Sequence, residues 1–201
     1  MSKSAKDLPG IRIITVSGRI ASGSTTLAKK LSQVLNWRHI EGGEIIWEAS
    51  KINDLGACAK DTDKRPDKDD ISFDESLKKI LRNQKHIVLE TKLAGFNAQG
   101  IDEVLKIAVV CDDDSGKDQT RIRIDRLVNR ETLTTEEAKE EVIERENNDL
   151  DKWRRLYANG DSAWNYWDEK YYDLVINTFD HNAEESLKIA LKVIGKEEIK
   201  A

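Results

Sequence analysis

Two clusters in this 201-residue chain combine residue types and spacings suited to chemistry on anions. The first is Gly18-Arg19-Ile20-Ala21-Ser22-Gly23-Ser24-Thr25-Thr26, which follows an apolar run and leads into an amphipathic stretch from Leu27. Glycines at its bends let the backbone curl until successive N–H groups and a helix N-terminus point at one anion, the arrangement that holds a phosphate. Thr25 stands where such loops place a hydroxyl for Mg²⁺, whereas Ser24 takes the position that the pattern gives to lysine. An ordinary strand-to-helix turn capped by Ser22 or Ser24 would use the same residues. The second cluster is basic: Arg121, Arg123, Arg126, Arg130, Arg145, Lys152, Arg154 and Arg155. Positions 123, 126 and 130 share one helical face, as do 145, 149 and 152. Alone, this pattern fits a solvated surface paired with glutamates. Beside a phosphate loop it reads as guanidinium forks that stabilise charge on a transferring phosphoryl group. Glu90, ending an apolar run, either holds Mg²⁺ through water and orients Thr25, or is a strand-end carboxylate facing solvent.

The elements that must position these clusters alternate between buried strands and amphipathic helices, the α/β pattern. Strands are predicted at Ile11–Val16, Trp37–Ile40, Ile87–Glu90, Ile107–Val110 and Tyr172–Thr178. Leu27, Leu31, Val34 and Leu35 fall at helical spacing, as do Leu187, Ala190, Leu191 and Ile194, with Gly195 as the stop. Thr134 and Glu137 form a capping box that opens a charged helix from Thr135 past Arg145 to about Leu156, too polar to be fully buried. The segment Ala59–Asp70 reads as a solvated loop or short helical excursion without chemistry of its own.

Composition narrows the function classes. With 38% hydrophobic and 35% charged residues the chain reads as a single globular domain. Against 33 basic residues stand 38 acidic ones, a net charge of -5 that argues against coating nucleic acid. No apolar run has bilayer length, and Met1–Gly10 lacks the apolar core of a secretory signal, so a cytoplasmic location is expected. Cys58 and Cys111 lack CxxC spacing and are expected as free thiols; His39, His86 and His181 fall in no ligand or triad spacing. Trp164, Tyr166, Trp167 and Tyr171 either stack on a base or, the favoured reading, pack against the last strand.

Several motifs in order resemble archaeal-type cytidylate kinases, small P-loop nucleoside monophosphate kinases, over nearly the whole chain. They are Gly43-Glu44-Ile45 after the second strand, Leu89-Glu90-Thr91-Lys92-Leu93-Ala94-Gly95 at the third, Arg123, Arg126 and Arg130-Glu131, Thr134 with Glu136-Glu137-Ala138, Arg145-Glu146, Asp149, and Tyr172 to Thr178. The resemblance implies a three-layer α/β P-loop kinase with a five-stranded parallel sheet, an acceptor-binding arm near 42–84 and a helical lid near 112–160. It implies transfer of the γ-phosphoryl group of ATP, with Mg²⁺, to a pyrimidine nucleoside monophosphate, CMP or dCMP first, by a monomer whose partners are small nucleotides and neither nucleic acid nor membrane. Gly18, Arg19, Ala21, Ser22, Gly23, Ser24, Thr25 and Thr26 would hold the donor, and Thr25 and Glu90 the metal. Arg126, Arg130 and Arg145 would neutralise the transferring charge; Gly43, Glu44, Trp47, Asp74, Lys92, Gly95 and Asp149 would hold the acceptor. Departures gather where phosphate is handled: Ser24 for lysine, Trp47 for an arginine, and Lys92 and Lys152 for arginines, which keep charge but lose the bidentate fork. Arg19, with Lys92 as the alternative, is the expected surrogate for the missing lysine. A nucleotide-binding protein without useful catalysis and a kinase for another small acceptor are the competing readings.

Overall fold

The computed structural model describes residues 4–45, 65–131 and 133–195. Trp47, Cys58, the segment 59–64 and most of the first half of the expected acceptor arm lie outside these residues. Five strands, β1 (Ile13–Gly18), β2 (Arg38–Glu41), β3 (Ile87–Glu90), β4 (Val104–Val110) and β5 (Leu174–Asn177), form one sheet in the order 2-3-1-4-5. Every pairing is parallel. The helices are α1 (Ser24–Leu35), α2 (Asp67–Asn83), the single turn α3 (Ala94–Asn97), α4 (Thr120–Glu131), α5 (Thr135–Lys139), α6 (Glu146–Tyr157) and α7 (Ala183–Val193). A π-helical stretch, Glu140–Arg145, joins α5 to α6, so the predicted long helix exists but is not α-helical throughout.

β1 lies at the centre because neither of its faces tolerates water: Ile13 to Val16 are fully buried. Side chains alternate across a strand. Ile14 and Val16 therefore join Leu27, Leu31 and Leu35 of α1 and Leu187 and Leu191 of α7 in one core. Ile13 faces the opposite layer with Ile87, Leu89 and the α2 residues Leu77 and Leu81. α7 is closed by a capping box between Asn182 and Glu185 and ended by left-handed Gly195. Two smaller clusters carry the remainder. One joins Leu150, Trp153, Trp164 and Tyr166 to Leu93; the other joins Ile124 and Leu127 to Ala138 and Val142.

Asp67–Asp70, expected as a loop or short helical excursion, form the first turn of the long helix α2. Asp70 is buried and paired with Arg65 at 2.8 Å and Lys152 at 2.5 Å, so the segment is a structural joint with α6. Its acids also suit a helix N-terminus, where the backbone dipole favours negative charge. The tryptophans pack, as favoured, though against α6 and α3 more than the last strand: Trp164 meets Phe96 edge-on at 5.4 Å and donates to the Tyr171 hydroxyl at 3.0 Å.

Candidate active site

The sheet order reverses on either side of β1, and the crevice at the carboxyl ends of its strands is where such sheets bind ligands. The loop 18–23 lies there. A Cβ added to Gly18 would stand 2.5 Å from the Ser22 hydroxyl and 2.9 Å from the Val109 carbonyl, so only glycine fits. Gly23 (φ 110°) and Ala21 (φ 59°) complete the curl in left-handed conformations before the twelve-residue α1 begins. Thr178 pins the loop from behind, its hydroxyl donating to the Ser22 carbonyl at 2.6 Å.

Two cavities border this loop and a third adjoins the first. The first, about 610 Å³, is lined by Gly18, Gly23, Ser24 and Thr25 together with Arg19, Glu90, Lys92, Arg130 and Arg145. The second, about 420 Å³, lies across the loop between α4 and α7, with Ser22, Thr26, Leu27, Arg126, Thr178 and His181 in its wall. The third, about 190 Å³, opens beyond Lys92 and Arg145 toward Gly43, Phe73, Asp74, Asp149, Trp153 and Tyr157. Lys92 and Arg145 line both the first and the third, and so stand between them.

Glu90 accepts from Thr25 Oγ1 at 2.6 Å and Ser24 Oγ at 3.2 Å. A hydroxyl and a carboxylate adjacent to an anion cradle form the hard oxygen set that Mg²⁺ prefers, so these residues fit the ion. His39, which no sequence spacing marks, lies 3.2 Å from Glu90 across the strand pair. Strand register brings it there, and register is invisible in a linear motif.

The expected cations divide. Arg19 lines the first cavity, but its guanidinium is engaged: Nε donates to Glu146 at 2.9 Å, Asp118 lies 3.1 Å away, and the Trp167 ring lies 4.5 Å beneath. It is therefore not placed as a surrogate for the loop lysine. Arg126 donates to Thr178 at 2.8 and 2.9 Å and faces the second cavity, not the first. Arg130 lines both cavities; Arg145 pairs with Glu141 at 2.6 Å. Lys92 donates to the buried Asp149 at 2.5 Å, and burial pulls its ammonium below the usual lysine range while Asp149 opposes that shift. Lys29 and Lys30 turn to Glu41 and Glu184.

Two acceptor-side expectations lie elsewhere. Glu44 is drawn out to Arg38, and Gly95 is a packing glycine whose added Cβ would meet the Tyr172 ring at 2.2 Å. Residues to which the sequence assigned no role enter instead. Glu146, 2% exposed, accepts from Arg19, from the Ile20 N–H at 3.1 Å and from Arg123 at 3.0 and 3.1 Å. Asn97 donates to Asp74 at 2.9 Å, and Tyr157 lines the third cavity beside them.

No protein-family model matches the chain. Among solved structures, an uncharacterized protein from Eubacterium ventriosum aligns with TM-score 0.65 and 17% identity, covering 92% of this chain and 98% of that one. Shikimate kinase from Acinetobacter baumannii aligns with TM-score 0.52 and 14% identity over 94% and 96% of the two chains. These show the fold, a P-loop kinase fold with an all-parallel sheet. Sequence relatives go further. The cytidylate kinase of Haloarcula marismortui is 30% identical over 186 residues, 90% of this chain and 88% of that protein. That of Methanosarcina acetivorans is 32% identical over 182 residues, 88% and 92% of the two. With identity at this level spread along nearly all of both chains, the protein belongs to the archaeal cytidylate kinase family of nucleoside monophosphate kinases.

Proposed function

We propose that the protein transfers the γ-phosphoryl group of ATP to a pyrimidine nucleoside monophosphate, with CMP or dCMP preferred. The observation that carries this reading is the junction of the first and third cavities at Lys92 and Arg145, two cations between a phosphate loop and a second, smaller chamber. The donor's phosphates would lie along loop 18–25, its base in the second cavity beside Arg126. The acceptor would enter the third cavity with its phosphate toward Lys92 and Arg145. An acceptor phosphate oxygen then attacks the γ-phosphorus, ADP leaves, and no covalent enzyme intermediate forms. Thr25 and Glu90 are the residues that would hold Mg²⁺, which neutralises donor phosphate charge when bound. Arg130 and Arg145 would stabilise the transferring group, and Asp149 keeps Lys92 aimed between the cavities.

A nucleotide-binding role without catalysis is the second reading, favoured by Ser24, whose hydroxyl turns to Glu90 and supplies no charge. ADP release from ATP and Mg²⁺ with CMP, dCMP, UMP, AMP and GMP decides between them. The expected result is activity with CMP and dCMP well above AMP and GMP. ATP binding with no acceptor-dependent ADP establishes the binding role instead.

A further inference from the structure

Glu90 presents its two oxygens to different neighbours. Oε1 accepts from Thr25 and Ser24 of the phosphate loop, whereas Oε2 lies 3.2 Å from His39 Nε2 on the adjoining strand. In the β2–β3 ladder Glu41 is paired with Glu90, and His39 with Val88. Side chains two apart share a face of a strand, so His39, Glu41 and Glu90 come together on one face. One ligand atom from each lies within 4.8 Å of the others, the one such group of three among the described residues. Two carboxylates at that separation repel, and a cation between them relieves the repulsion. Lys29 does so only in part: it reaches Glu41 at 3.2 Å from α1, and both side chains are about half exposed. Among the described residues no lysine or arginine pairs with Glu90.

We propose that His39, Glu41 and Glu90 form a binding site for a divalent transition-metal ion such as Zn²⁺ or Co²⁺, beside the place of Mg²⁺ at Thr25, and that this ion inhibits the protein by competing for Glu90. The donor set selects the metal. Mg²⁺ takes oxygen ligands in near-octahedral geometry, while an imidazole nitrogen beside carboxylates suits Zn²⁺ and its neighbours in the transition series. The spacing agrees: with bonds of about 2.1 Å, two ligands of a tetrahedral ion stand about 3.4 Å apart, close to the 3.2 Å between His39 and Glu90. Glu41 lies on the edge strand with its side chain half exposed, so it can turn to the ion without disturbing the core. Three protein ligands leave a fourth position to water. Binding does not rest on the proposed reaction; inhibition does. An ion on Oε2 draws charge from the carboxylate that Thr25 and Mg²⁺ share, so each ion weakens the other, and the coupling is reciprocal.

The test titrates metal-free protein, without nucleotide, with Zn²⁺ by calorimetry and with Co²⁺ by its visible absorption. The expected result is one ion per chain. Affinity should fall at least about tenfold in Glu41→Gln and in His39→Ala, since losing a ligand costs no less than losing a ligand's hydrogen-bond partner. Lys29→Gln should instead tighten binding, because the ion no longer competes with an ammonium for Glu41. Binding that is absent, or that keeps its affinity in both Glu41→Gln and His39→Ala, overturns the site.

ADP release then reads the consequence. Free Zn²⁺ should inhibit the wild type, and raising Mg²⁺ should relieve the inhibition. Glu41 lines none of the three cavities, so Glu41→Gln should keep the wild-type rate without Zn²⁺ and need at least about tenfold more Zn²⁺ for equal inhibition. Inhibition at the same Zn²⁺ concentration in both proteins overturns the competition for Glu90. A protein that binds the ion as expected yet releases no acceptor-dependent ADP carries the site, and the kinase reading is what falls.

Discussion

A guanidinium serves whichever oxygens reach it first, and along α4 those oxygens change from one turn to the next. Arg126 is captured by Thr178 and by the carbonyls of Ala21 and Ser22; Arg130, four residues later, lines the cavity with Thr25 and Lys92. Their different surroundings predict different kinetic losses. Arg130→Ala is expected to lower kcat by roughly 10³ with a small change in KM for ATP, as for an arginine acting on the transferring group. Arg126→Ala is expected to raise KM for ATP and to leave most of kcat. Steady-state kinetics on both variants checks this, and equal kcat losses in the two would return Arg126 to the transferring group. The i, i+4 spacing was legible in the sequence. Which cavity each side chain enters was not, because Thr178 comes from a strand end 52 residues away from Arg126. Arg19 teaches the same lesson: its place inside the loop was legible, and the buried Glu146 and Asp118 that occupy it were not.

Among the elements, the segment from α5 through α6 is the one most closely tied to the loop. Its capping box at Thr134 forms as the sequence predicts. The π-helical stretch that follows carried no sequence signal; such bulges frequently occur at functional sites. Its consequence is local: Arg145 ends the stretch beside the cavities, and Glu146, the next residue, turns inward under the loop. Glu146 stands between Arg19 and Arg123, with Arg123 1% exposed. Removing one partner from a buried charge network leaves the others uncompensated, at a cost of about 3–5 kcal/mol. Glu146→Ala is therefore expected to lose stability on that scale in urea unfolding. Glu141→Ala, which breaks the partly exposed pair with Arg145, should lose under about 1 kcal/mol. Similar losses in the two variants would show that the network is no more than surface pairing.

At the scale of the whole molecule, the sheet and its two covering layers were legible because the three central strands are buried on both faces and the covering helices on one. The acceptor side was much less so. It is assembled from α2, α3 and α6, brought together by tertiary packing with no contiguous motif, and Asp70 and Asp74 look in sequence like any solvated helical face. Their burial places a folding cost in the wall of the third cavity. Asp74 has a folded-state pKa of about 6 against an ordinary 3.8, raised chiefly by desolvation and held down in part by Tyr157 and Asn97. The folded protein therefore binds the proton more tightly than the unfolded chain. Stability must fall as pH rises between those two values: below about 3.8 the acid is neutral in both states, and above about 6 the whole penalty is present. A difference of about two pKa units bounds that penalty near 3 kcal/mol. Asp74→Asn removes the charge while keeping the group's size. Denaturant unfolding at pH 7.5 should find this variant more stable than the wild type by up to about that amount, and unfolding at pH 4 should find much of the gain gone. A variant no more stable than the wild type at pH 7.5 would mean that the donors Tyr157 and Asn97 already compensate the ionised carboxylate in the folded protein.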